Sequence, residues 1–367
     1  MKKKPYKKFV FFTILIVILF SLYHLYIYTF YTSKIFDRKD YLYIGDIARV
    51  GYQVDALYPR KLEYTLPKKH LNKEQYTSDK KIDILTLGDS FSNAATGGKN
   101  PYYQDYLATD YNASVLNILD TRDHSVNTFK PVIALYNNGW LKQHHVKFVI
   151  IQSVERFCVQ RYAKKFDYSF NDIDINKVIR SSRQYDSYIP KINFISTANY
   201  KFPYYNYQSK KKVHFHPDVM LLELNKNLFS PENFSDKLLI HHEDILSLPY
   251  NTQENIFMLN QNLNHLAILL KSIDVKLIFM PTVDKYDLYY PYIKNNPYRK
   301  NLFFKIIRKL PKEYIFIDTK KILEQLLLKG TLNVYYPDDS HWSELAIKAI
   351  INENFTFLKK ALYANHP

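Results

Sequence analysis

From Phe9 to Ser33 the chain runs for 25 residues without a Lys, Arg, Asp or Glu. As a helix that stretch is about 37 Å long, against about 30 Å for a hydrocarbon core. Its first half, Phe9 to Phe20, is almost purely apolar, and Tyr23, Tyr26, Tyr28 and Tyr31 in the second half suit the headgroup region. Lys2, Lys3, Lys4, Lys7 and Lys8 precede it. The positive-inside rule keeps that cluster cytoplasmic and sends everything after Lys34 outside the cytoplasm. No Ala-x-Ala-like site follows the apolar run, which is also long for a signal peptide, so the segment reads as an uncleaved anchor. The expected organisation is a basic tail at 1–8, a transmembrane anchor at 9–33, a polar, tyrosine-rich juxtamembrane stem at 34–81, and a domain at 82–367.

The chain has 367 residues, 47% of them hydrophobic, enough for a sizeable core. Its formal charge is +16, part of it in the first eight residues. No basic helix or aromatic–basic module points to nucleic acid, and none is expected as a partner. The single cysteine, Cys158, excludes an intramolecular disulfide and a cysteine-built metal site. Between Phe157 and Val159 it reads as a small buried hydrophobe.

Five apolar runs read as strands: Asp83 to Leu87, Val115 to Leu119, Phe148 to Gln152, Val275 to Met280 and Tyr314 to Ile317. Helical patterns lie between them. The best is Gln253 to Ser272, with Ile256, Leu259, Leu263, Leu266, Ala267 and Leu270 on one face. Shorter ones run from Leu302 to Leu310 and from Ile322 to Leu328. A last amphipathic helix carries Ile347, Ile350, Ile351 and Phe355, with Ser343 as N-cap. Strands alternating with helices predict an α/β fold with a parallel sheet covered on both faces. The alternation breaks between about 160 and 250, a Tyr-, Asn-, Lys- and Ser-rich stretch read as an insertion that decorates the sheet and shapes access to a site at the strand ends.

The first strand ends in Gly88-Asp89-Ser90-Phe91. A serine where a strand stops is held on a rigid element with its hydroxyl free, and Gly88 lets the backbone turn without a Cβ clash. Far downstream lies Asp338-Asp339-Ser340-His341-Trp342, just before the last helix. Gly-Asp-Ser alone is weak evidence, since turns favour all three residues. The pair of motifs supplies the parts of a nucleophilic triad, which is recognised by roles and not by sequence spacing. His341 is the expected general base for Ser90. The spacing of three places Asp338 behind the imidazole on one turn, with Asp339 pointing away.

These two blocks, serine first and Asp-x-x-His last, resemble the first and last motif blocks of the SGNH/GDSL hydrolase superfamily. Within it the chain is most similar to membrane-anchored bacterial polysaccharide or peptidoglycan O-acetyltransferases. Val154-Glu155-Arg156 and Met280-Pro281-x-x-Asp284-Lys285-Tyr286 add to the resemblance, which spans about Ile82 to Ala361 apart from the insertion. It implies a three-layer, flavodoxin-like sheet and serine-dependent acyl chemistry, acetyl in the first instance, on a cell-envelope glycan. It implies no metal or diffusible cofactor, and a multi-pass membrane acyltransferase as acyl donor.

The sequence departs from that family at the oxyanion blocks. Asp120-Thr121-Arg122-Asp123-His124-Ser125 contains no glycine, and Ser153-Val154-Glu155-Arg156 contains no asparagine. The Ser90 N–H is the expected first donor, with Ser153, Arg156 or a backbone N–H near His124 as further candidates. A Glu155–Arg156 structural ion pair competes with that role. The alternative is a non-catalytic glycan-binding or scaffold subunit on a degenerate hydrolase fold; a lipase-like reading lacks a clear apolar lid. His144-His145, His214-Phe215-His216 and His241-His242-Glu243 lack the helical His-x-x-x-His spacing of a zinc site. Gly97-Gly98 allows either close substrate approach or a turn.

Overall fold

A computed structural model describes residues 4–36, 42–61, 66–119, 128–180 and 192–363. The amino-terminal helix spans Lys4–Ile27, continues through a π-helical turn at Tyr28–Thr32 and ends at Ser33–Phe36. Among the described residues it is the one helix long and apolar enough to cross a membrane. Most of its apolar side chains from Phe9 to Phe30 are exposed.

The strands are β1 (Leu42–Tyr43), β2 (Arg60–Lys61), β3 (Ile84–Leu87), β4 (Val115–Ile118), β5 (Phe148–Val154), β6 (Val219–Glu223), β7 (Lys237–His241), β8 (Lys276–Thr282) and β9 (Ile315–Phe316). Five of them form one sheet in the order β4-β3-β5-β8-β9, with every neighbouring pair parallel. These are the five runs read from the sequence, shifted by a residue or two at their ends. β3, β4 and β5 are buried at every position. That explains their continuous apolar runs, since a sheet covered on both faces leaves no polar alternation. Strand order reverses beside β3, which has its chain successor β4 on one side and β5 on the other. Such a reversal opens a crevice at the carboxyl ends of the strands, and Ser90 emerges there.

The Gln253–Lys271 helix covers part of the sheet with the six residues its periodicity selects, all buried. Each Ile or Leu among them contributes about 1.5–3 kcal/mol on burial. Thr252 caps it by accepting from the Asn255 N–H. The helix packs with Glu155–Tyr162 and Phe303–Ile307. Tyr103–Asp110, Thr319–Leu328 and Glu344–Asn354 form a second packed group. Ser343 is the N-cap of the last of these, as its position predicts.

The two weakly patterned regions fold against each other. Within the 160–250 stretch, β6 and β7 pair antiparallel. In the stretch read as a stem, β1 and β2 pair and a short helix forms at Asp46–Val50. Ile47, Ala48 and Ala56 of the stem pack with Phe215, Val219, Phe234 and Leu239 in one apolar cluster. Residues 42–61 are therefore part of the folded domain and not a spacer. Neither segment carries a complete apolar face of its own, which is why neither shows a period in sequence.

Candidate active site

Ser90 starts a 3-10 turn at the end of β3 and is exposed. The turn is held from several elements. Gln152 Oε1, on β5, accepts from the Asp89 N–H at 3.1 Å and from Ser92 Oγ at 2.9 Å. Gln104 and Asn117 donate side-chain N–H groups to the Ser92 carbonyl at 2.9 and 3.0 Å. The Asp89 carboxylate accepts from the Val154 N–H at 2.7 Å and from the Arg161 guanidinium at 2.6 Å. Burial raises the Asp89 pKa, but Arg161 and these hydrogen bonds outweigh it and hold the carboxyl below its ordinary value. Gly88 is required by close approach: a Cβ there would overlap Ser92 Oγ and Gln152 Oε1.

His341 Nε2 lies 2.7 Å from Ser90 Oγ, across 251 residues of chain. Its ring packs on Phe91, centroids 4.6 Å apart, and is nearly buried. The other ring nitrogen, Nδ1, lies 2.7 Å from Asp339 Oδ1. With Nδ1 protonated toward the carboxylate, Nε2 is left to accept the serine proton.

The carboxylate behind the imidazole is thus Asp339, which corrects the expectation for Asp338. The spacing argument assumed a helical turn, but this segment is not helical. Tyr335 and Trp342 pair as an antiparallel bridge and the helix begins only at Glu344. In the loop between them, Asp339 Oδ1 also accepts from the His341 backbone N–H at 3.1 Å. That is an Asx turn, which brings residues i and i+2 together. Asp338 is fully buried and faces the stem. Its carboxylate accepts from Arg60 Nη1 at 2.9 Å, the Gly45 N–H at 2.9 Å and the Tyr58 N–H at 3.1 Å.

Three further side chains shape the loop. Arg60 donates to both Asp338 and Asp339, and its guanidinium stacks over Tyr336 at 3.7 Å. Lys285 Nζ is buried and donates to the carbonyls of Tyr336 and Asp339, each at 2.9 Å. Burial lowers its pKa to about 8, against the opposing pull of Asp339 and Asp338. Asp46 accepts from the Ser340 N–H at 2.7 Å and Oγ at 2.6 Å, and its Oδ2 lies 3.7 Å from His341 Nδ1.

Burial lowers the His341 pKa, but Asp339, through charge and hydrogen bond, and then Asp46 carry it above its ordinary value. Burial, and then the charge of Asp46, raise Asp339 to about 6, with His341 and Arg60 opposing.

The remaining candidates are engaged by other partners. Ser153 Oγ is fully buried and accepts from Arg161 Nη1 at 2.7 Å. Arg156 pairs with Asp284 at 2.9 Å and Asp244 at 3.2 Å. Glu155 does not pair with it; its Oε2 accepts from the Asp284 N–H at 2.9 Å. Burial, and then Asp287 and Asp284, push the Glu155 pKa well up. His124 and the loop after β4 lie outside the described residues. Gly97 and Gly98 both have positive φ and make a turn, and Gly98 lies against the Arg60 side chain. Cys158 is buried, as its apolar neighbours suggest.

Asp46, Asp339 and His341 are the described residues whose ligand atoms gather within 4.8 Å, as a metal would need. Hydrogen bonds to Arg60, Ser340 and one another already engage them. A metal would have to displace those bonds, so the donor set fits a hydrogen-bonded relay better.

Sequence reasoning missed Asp46 and Arg60. Each meets the loop that carries His341 across more than 270 residues, and nothing local marks either as part of a site. Fold and site together define an α/β chain with a parallel sheet and a serine–histidine–aspartate relay at its carboxyl edge. Comparison with protein-family models, curated proteins and solved structures finds no match.

Proposed function

We propose that the chain is a membrane-anchored serine acyltransferase or esterase of SGNH type, acting outside the cytoplasm on a cell-envelope glycan. The observation that carries this reading is the relay Ser90 Oγ–His341 Nε2 and His341 Nδ1–Asp339 Oδ1, with both separations at 2.7 Å. The strand order is that of flavodoxin-like doubly wound sheets. With helices packed in two groups, it supports the three-layer arrangement that the motif resemblance implies.

In the first half-reaction Ser90 Oγ attacks an acyl carbonyl and gives its proton to His341 Nε2. The imidazolium is stabilised by Asp339. The tetrahedral intermediate collapses to an acyl-serine as His341 returns the proton to the leaving oxygen. In the second, a sugar hydroxyl or water loses its proton to His341 while attacking the acyl-serine, and the proton returns to Ser90 Oγ. The Ser90 N–H, at the start of a turn where no helical bond uses it, is the first oxyanion donor. Acetyl is the acyl group the resemblance favours, and a multi-pass membrane acyltransferase is the donor partner it implies. The lysines before the anchor support a cytoplasmic amino terminus.

The test is labelling of the full chain by a serine-directed fluorophosphonate, with turnover of an activated acetyl ester. Wild type labels and turns over, and Ser90→Ala does neither. A wild-type protein inert to the reagent and to esters would sink the enzyme reading in favour of a glycan-binding subunit.

A further inference from the structure

The Ala198–Ser209 helix of the insertion presents two opposed faces. Ala198, Phe202 and Tyr205 pack in an apolar cluster with Ile27, Ile35, Phe36 and Tyr52. Tyr200, Tyr204 and Tyr207, spaced i, i+4, i+7, are 51%, 57% and 55% exposed. That stripe of large aromatic rings lies on one side of the helix. Phe194 and Ile195, just before it, are exposed too.

The helix is fastened to the carboxyl-terminal part of the anchor. Asn199 Nδ2 lies 2.7 Å from His24 Nδ1, and Thr32 Oγ1 donates to Asn199 Oδ1 at 2.6 Å. Tyr23 OH donates to the Asn199 carbonyl at 2.7 Å, and His24 Nε2 lies 3.1 Å from Tyr200 OH. His24, polar and fully buried, thereby has partners on both ring nitrogens, as a polar group at membrane depth requires.

The contact height follows from helix geometry. A crossing of about 30 Å that starts at Phe9 ends near Tyr28. Tyr23 and Thr32 then stand about 21 and 35 Å above Phe9, one on each side of the far boundary of the hydrocarbon. The tyrosine stripe is continuous with the exposed surface of the anchor: Tyr200 stacks on Tyr23, and Phe194 meets Tyr28. Lys201, Lys210, Lys211 and Lys212 on and after the helix are exposed, and cations beside an aromatic belt suit a phosphate layer.

We propose that the Ala198–Ser209 helix is an interfacial helix. It rests in the headgroup layer of the outer leaflet beside the anchor, with Tyr200, Tyr204 and Tyr207 turned to lipid. The domain is then held at the bilayer by two elements, so its height and tilt are fixed and it does not swing on a tether. This rests on the reading of the amino-terminal helix as membrane-spanning.

The test uses the full chain in vesicles of phosphatidylcholine and phosphatidylglycerol, with an environment-sensitive dye on Tyr204→Cys or Tyr207→Cys. Leu15→Cys reports on the anchor and the highly exposed Leu328→Cys on water; the native thiol is buried. Lipids carry a nitroxide either at the headgroup or deep in the acyl chain. Dye at 204 and 207 is expected to be quenched about twofold or more by the headgroup nitroxide, and less by the deep one. Dye at 15 is quenched by the deep nitroxide, and dye at 328 by neither. If 204 and 207 behave like 328 while 15 is quenched, the interfacial helix is wrong and the anchor stands. If 15 is not quenched, the anchor reading fails and takes the inference with it. If 204 and 207 are shielded from aqueous iodide yet unquenched by either lipid, protein covers the stripe, and the proposal is overturned.

Discussion

Replacing each of the two adjacent aspartates by asparagine separates chemistry from architecture. Asp339→Asn keeps the size of the side chain but puts an amide 2.7 Å from His341 Nδ1. If its NH₂ donates to Nδ1, the ring proton moves to Nε2, where it faces Ser90 Oγ and cannot accept. A wrong-tautomer defect of this kind costs about 10² to 10⁴ in turnover, or about 2.7–5.4 kcal/mol at 1.36 kcal/mol per tenfold. Asp338→Asn removes a buried ion pair with Arg60. Breaking one partner of a buried pair costs about 3–5 kcal/mol. Arg60 retains Asp339 and the carbonyls of Tyr58 and Thr96, which points to the lower end. The Asp338→Asn protein should therefore unfold at clearly lower denaturant, while its folded fraction turns over within about tenfold of wild type. The assay pairs acetyl-ester kinetics with denaturant unfolding on both purified variants. A severe kinetic defect in a stable Asp338→Asn, beside near-normal Asp339→Asn kinetics, would refute the assignment.

Ser90→Ala should cut turnover by about 10⁴ to 10⁶ and move the unfolding curve little, since Ser90 is exposed and loses only its hydrogen bond to His341. His341 must be neutral to accept a proton and its pKa is raised. The kcat/KM profile should therefore climb with pH through a midpoint above 6.5, and that limb should move down in Asp339→Asn; an unmoved limb would argue against the contact. Arg60→Gln leaves the Asp338 and Asp339 carboxylates short of their cation and should cost about 3–5 kcal/mol in denaturant unfolding; a wild-type midpoint would show that the stem is not fastened through it. Gly88→Ala drives a methyl into Ser92 and Gln152. It should cost about 1–3 kcal/mol and weaken fluorophosphonate labelling of Ser90, and normal labelling would show that the turn tolerates the methyl.

The sequence alone determined the elements whose signal is local. The amino-terminal helix, long and apolar enough to cross a bilayer, follows from one uncharged stretch. The five sheet strands follow from short apolar runs, because strands covered on both faces need no polar partner at any position. The Gln253–Lys271 helix follows from one continuous apolar face. Ser90 and His341 were legible because each ends or precedes such an element.

Tertiary structure decided what depends on direction or distance. Which aspartate backs His341 turned on an Asx turn in place of a helical one, a choice of backbone path that two neighbouring carboxylates cannot encode by spacing. Asp46 and Arg60 came from a stretch that looked like a spacer. Their chemistry appears only when residues 42–61 fold over the loop that carries His341 and close contacts across nearly 300 residues. The Ala198–Ser209 helix showed no useful period because both its faces are aromatic. One face packs on the domain and the amino-terminal helix, and only the packing tells it from the other.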